Sequence, residues 1–267
     1  MTDAFDGDLL ATGDLFEADI VCSPIDTDGI CEQVHRAVII HNQAVSVVLN
    51  FDQLYAASRQ ESQGDADAFP VEHDLLRAAF LFACSGLDAV VKQLIKDALP
   101  DVVDSDLGAH REFEKFTERR LKKIASIDSD NPRVQVLDAR LFSKILTNQN
   151  PRGTLIEMLV RSLTDDSLQS RDQLLKVAAH FALTMQDVMA NPDAVKDAFS
   201  ARNQIVHEMD VLLAEGSTRR NRDYQTIKHW SESMLAIAAA FITGVDAKLQ
   251  QERTEVAADE HPLEVEE

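Results

Sequence analysis

The sequence predicts an all-α protein, an antiparallel helical bundle. Three observations predict it. Apolar residues recur at three- and four-residue spacing over long windows. No segment sustains apolar–polar alternation with β-branched residues between turns, so no strand is expected. Proline falls between the helical patterns, at Pro70, Pro100, Pro132, Pro151 and Pro192. Three of these follow asparagine directly, the N-cap and first-turn proline of a helix start.

The expected helices run over 29–60, 71–99, 108–126, 133–148, 153–163, 169–190, 192–213 and 218–250. The second is apolar on most of its circumference: Leu75, Leu76, Ala79, Phe80, Phe82, Ala83, Leu87, Val90, Val91, Leu94 and Ile95. A helix apolar nearly all round belongs at the centre. Ser85, Asp88, Lys92 and Lys96 form its narrow polar stripe, with Asp88 and Lys92 spaced as an i,i+4 ion pair. Ser85-Gly86 within it reads as a site of close packing. The last helix starts after the basic run Arg219-Arg220-Asn221-Arg222. No repeat of fixed period is present.

A chain of 267 residues is long enough for one large core. Its formal net charge of −20 argues against nucleic acid at first sight. The charge is uneven. Residues 1–28 carry eight acids and no Lys or Arg, and residues 251–267 carry seven acids and Arg253 alone. The ends therefore hold −14, and residues 29–250 only −6. The expected organisation is an acidic, flexible N-terminal segment (1–28), a helical domain (29–250) and an acidic C-terminal tail (251–267). Cys22, Cys31 and Cys84 show no paired spacing, which fits a reducing cytosol. The N-terminus lacks the basic stretch of a signal peptide. The nearly apolar run Met234–Val245 is too short to span a bilayer. A soluble, cytoplasmic protein is expected.

Chemistry concentrates in Arg202-Asn203-Gln204-Ile205-Val206-His207-Glu208. Cationic and titratable groups in an otherwise apolar helical segment are costly unless paired or used. Arginine can neutralise phosphate and histidine can move protons, a combination that RNA cleavage can use without a metal. Spacing alone shows nothing. Three Arg–His pairs with four to six intervening residues occur, where chance gives about 1.4. Arg36–His41 encloses an aliphatic run with no polar group beside the arginine. Arg222–His229 starts in a hydrophilic stretch where Asp223 can neutralise it. In Arg202–His207, by contrast, Asn203 and His207 are four apart and share a helix face. Arg202 lies about 140° round a straight helix from His207. A bend, a helix end or a second protomer would have to bring them to one phosphate. The structural alternative is a satisfied interior histidine beside an arginine paired with Glu208 or Asp197.

The hexapeptide Arg202–His207 resembles the Arg-polar-x-x-x-His motif of the HEPN superfamily of helical domains. The segment Leu75–Val91 is similar to the early core helix of its RiboL-PSP branch. The resemblance covers roughly residues 71–250. It sets the core at 71–99 and 169–250, with 105–165 as an insertion and 1–65 unmatched. It implies an all-α bundle that dimerises with two motifs facing one cleft. It also implies a metal-independent endoribonuclease, a toxin or antiphage effector, with a cognate inhibitor protein as a further partner and no cofactor. Carried onto this chain, Arg202 and His207 are the catalytic pair and Asn203 the supporting polar residue. Asp88 and Glu208 are candidate supporting carboxylates. Glu208 and Asp210 after the histidine depart from a phosphate-friendly site. Other family members have lost activity and act as binding or dimerisation modules. An acidic helical mimic of nucleic acid is the third reading of the chain.

RNA must also be held. Residues 111–123 are the densest basic stretch, with Arg119, Arg120, Lys122 and Lys123 as candidate phosphate contacts beside Phe113 and Phe116. Arg219, Arg220 and Arg222 are the second group. Interleaved Glu112, Glu114 and Glu118 also fit a solvated amphipathic helix. The sequence shows no glycine-rich phosphate loop, no zinc spacing and no Gly-x-Ser-x-Gly.

Overall fold

The computed structural model describes residues 22–61, 69–125, 143–145, 147–212 and 218–260. These are overwhelmingly helical, as the sequence predicts. In chain order they form α1 (Glu32–Glu61), α2 (Phe69–Asp97), α3 (Leu99–Ser105), α4 (Leu107–Ala125), α5 (Pro151–Thr164), α6 (Arg171–His180), α7 (Met185–Val188), α8 (Pro192–Glu208) and α9 (Tyr224–Glu260). The helix expected over 133–148 and the outer parts of both acidic ends lie mostly outside the described residues.

The core is built on α1, α2 and α9, which pack against one another along their lengths. From α2, Phe80, Leu87, Leu94 and Ile95 are fully buried, and Leu235, Phe241 and Val245 meet them from α9. Val34, Val38, Val45 and Val48 do so from α1. The residues between Glu72 and Asp97 are apolar and long enough to cross a membrane by composition, with half of the most apolar window buried. Here that stretch is the central helix, covered by α1 and α9. Gly86 lets α1 approach: a Cβ built on it would sit 2.4 Å from Ala44 Cβ. Ser85 donates its hydroxyl to Leu81 O of its own helix (2.8 Å). Gly86 is thus a site of close packing, while Ser85 is exposed.

The asparagine–proline starts hold at α5 and α8. Asn150 accepts from Gly153 N and Asn191 from Ala194 N, each with proline in the first turn. Several boundaries differ from the sequence reading. The pattern read as one helix over 169–190 breaks after His180. Ala182 takes a left-handed φ of 53°, and Thr184 opens α7 with a capping box to Asp187. The helix read over 192–213 ends at Glu208. Val211–Leu212 and Thr218–Arg219 form a two-residue antiparallel pair where no strand was expected. The last helix begins at Tyr224, not 218, and runs to Glu260, so residues 251–260 are helical rather than tail.

Residues 22–28, read as part of a flexible segment, lie against the bundle. Ile25 N donates to Asn42 Oδ1 (2.8 Å), and Asn42 Nδ2 donates back to Ile25 O (2.9 Å). Cys31 N at the start of α1 donates to the buried carboxylate of Asp246 on α9 (2.7 Å). That contact satisfies a backbone N–H the helix itself leaves orphaned.

Candidate functional site

α8 carries the Arg–His motif. Val195, Ala198, Phe199, Ala201 and Ile205 form its buried stripe and direct it onto the bundle. The polar members fall off that stripe. Arg202 and Asn203 are half-buried, whereas Val206 and His207 are exposed. Arg202 Nη1 donates to Asn203 Oδ1 (3.1 Å). Arg202 also lies close enough to α2 for its charge to act on Cys84. Burial pushes that thiol up to about 12 despite the guanidinium, which leaves it inert as a nucleophile. His207 occupies the last turn of α8. No group of three His, Cys, Asp or Glu side chains gathers among the described residues in the manner of a metal site.

The end of α8 is unusual. Met209 and Asp210 both adopt left-handed backbone, with φ of 52° and 58°. Each such non-glycine residue costs about 1–2 kcal/mol. Asp210 N donates to Gln204 O across the turn (3.0 Å), six residues back. Met209 is left 65% exposed, and Asp210 is turned wholly inside.

A cluster of arginines meets the Asp210 carboxylate. Arg77 of α2 donates Nε to it (2.8 Å), and Arg222 approaches in a fork, with Nη2 at 2.6 Å. Arg220 lies further off (3.7 Å). Burial alone would raise this carboxyl, but hydrogen bonds from Arg222 and Arg77 outweigh it and hold it below the ordinary aspartate range. Arg77 Nη2 donates to Arg220 O (2.7 Å), and Arg220 N donates to Asp210 O (2.8 Å). Arg222 Nη2 also donates to Gln204 Oε1 of α8 (2.8 Å), and its guanidinium stands 5.5 Å over the Trp230 ring.

The arginine group read as RNA contacts thus has internal partners. Arg219 binds Asp74 (2.6 Å), Arg220 binds Glu208 (2.9 Å), and Arg222 is nearly buried on Asp210. The supporting carboxylates also have other partners. Asp88 accepts from Leu168 N (2.7 Å) and pairs with Lys92 (3.0 Å). Glu208 pairs with Arg220, not Arg202. On α4, Lys122 pairs with Glu118, Arg120 sits over Phe116, and Arg119 Nε donates to Lys115 O. The Lys123 side chain lies outside the described residues.

The other two Arg–His pairs are structural. Arg36 binds Asp97, and His41 is buried in the core, where desolvation lowers its pKa. Arg222 belongs to the Asp210 cluster. Sequence reasoning missed Arg77 and the central place of Asp210. The clue within reach was an arginine near the start of a helix otherwise apolar almost all round. No protein-family model, curated protein or solved structure matches this chain.

Proposed function

We propose that this protein is a metal-independent endoribonuclease of the HEPN type, a cytoplasmic toxin or defence effector. The supporting observation is the disposition of the motif helix. Its apolar stripe faces the bundle, while Arg202 and Asn203 are half-buried and bonded to each other and His207 is exposed in the last turn. A satisfied interior histidine would not lie there.

In the proposed reaction the RNA 2′-oxygen attacks the adjacent phosphorus and His207 takes the hydroxyl proton. Arg202, aligned by Asn203, stabilises charge on the equatorial oxygens of the phosphorane. The P–O5′ bond breaks and His207 returns the proton to the leaving 5′-oxygen. The products are a 2′,3′-cyclic phosphate and a 5′-hydroxyl. Because Arg202 and His207 diverge around α8, a second copy would complete the cleft. α4, with Arg119 and Lys122 on exposed positions and Arg120 half-buried between them, is the proposed track for the flanking RNA.

Purified protein and a His207→Ala variant, each given mixed RNA in EDTA, test the reading. Cyclic-phosphate ends from wild type alone are expected. Well-folded wild type that leaves varied RNAs intact would sink it. A second reading, a catalytically silent binding module, gains from one observation: Arg219, Arg220 and Arg222 are engaged by Asp74, Glu208 and Asp210.

A further inference from the structure

We propose that Asp210 is a positioning residue for His207, acting through Arg222 and Gln204. The three form a closed bracket around the last turn of α8. The Asp210 carboxylate holds Arg222, and Arg222 Nη2 holds Gln204 Oε1, three residues before His207. The backbone closes the same loop, since Asp210 N donates to Gln204 O. The turn that carries His207 is therefore tied twice at one residue, by its carbonyl and by its side chain.

The bracket is anchored, not merely local. Arg77 Nε joins Asp210 to α2, the central helix of the bundle. The turn that carries His207 is thus referenced to the core of the bundle. Helix ends normally fray because their last carbonyls lack partners. This one is held by a fully buried carboxylate and two left-handed residues. Such backbone persists only where its surroundings over-determine it. Catalytic placement within a fraction of an ångström needs support of this kind. The proposal rests on the ribonuclease reading for its kinetic arm, and its spectroscopic arm stands without that reading.

The test compares Asp210→Asn and Gln204→Met with wild type. Gln204→Met cuts the side-chain tie from Arg222 to α8, keeps the backbone tie, and leaves the Arg77–Asp210–Arg222 cluster whole, so it stays folded even if Asp210→Asn does not. Folding is followed by far-ultraviolet circular dichroism. In the folded variants kcat for RNA cleavage should fall roughly tenfold or more, with KM within about twofold, because placement and not affinity is lost. The imidazole C–H signals of His207 should shift or broaden, while those of the exposed His35 on α1 do not move. A folded Gln204→Met protein whose His207 signals and titration coincide with wild type overturns the proposal. If wild type cleaves no RNA, the ribonuclease reading fails and the His207 signals alone decide this one.

Discussion

Replacing Asp210 with asparagine isolates the charge of the buried carboxylate. Asparagine is nearly isosteric and tolerates left-handed backbone, so the turn at φ 58° is not itself penalised. What is lost is the anion between Arg77, whose side chain is 8% exposed, and Arg222, at 11%. Removing one partner of a buried pair typically costs about 3–5 kcal/mol, because the remaining charge stays desolvated. Both guanidiniums keep other acceptors, Arg220 O and Gln204 Oε1, so the lower half of that range is expected. For a chain of this size about 3 kcal/mol lowers Tm by roughly 6–10 °C. Urea unfolding is the assay, with an unchanged slope and a lowered midpoint.

The pH dependence has a fixed sign. Asp210 titrates below its ordinary value of 3.8 in the folded protein. Its contribution is full above about pH 4 and fades as pH falls through the lowered native value. The gap between wild type and variant should therefore narrow in acid. A midpoint shift worth less than about 1 kcal/mol, the size of an exposed ion pair, would refute the claim that this carboxylate holds the α8 terminus. Arg219→Ala, which breaks only the exposed pair with Asp74, is the internal comparison and should cost no more than that.

Four further outcomes are expected. His180 on α6 is buried, and desolvation lowers its pKa to about 4, so the unfolded chain binds a proton that the fold rejects between that value and 6.5. Stability should fall by about 3 kcal/mol as pH drops through that window, and His180→Phe should flatten that limb of a pH–stability curve. Gly86→Ala should destabilise by about 1–3 kcal/mol in chemical unfolding, because the new Cβ meets Ala44 Cβ at 2.4 Å, and Ala44→Gly should restore most of it. Gly244→Ala meets the Leu183 side chain, nearest at Cδ2 (2.9 Å), a milder overlap that should cost less than Gly86→Ala by the same measurement. Arg202→Lys should not restore cleavage in the EDTA assay, since an ammonium lacks the planar fork.

The readable parts of this fold are local. Asn150-Pro151 and Asn191-Pro192 announce their helices because cap and proline act within one turn. The apolar circumference of α2 reveals its central place because burial is written in composition. The end of α8 was not readable. Val211-Leu212 continues an apolar pattern, and only a carboxylate drawn inward at Asp210 stops the helix. Its partner Arg77 is 133 residues away in the chain, a distance no spacing rule spans. The same blindness left Arg222 in a hydrophilic stretch with Asp223 as its expected partner, not Asp210. The capping box Thr184–Asp187 was in plain view, but the apolar residues around Phe181 continue the helical period across the break.

The order of the core helices bears on how the chain is made. α1 and α2 leave the ribosome before α9 and pair, but Phe80, Leu87 and Leu94 of α2 also need α9, which follows them. The Cys31–Asp246 contact closes over 215 residues and can form only then. Until α9 arrives, a half-finished core presents a long apolar stripe, the surface that chaperones hold and that aggregates if they do not. A nascent chain stalled before Phe241 should therefore be chaperone-bound and protease-sensitive, and release should be followed by abrupt acquisition of protection.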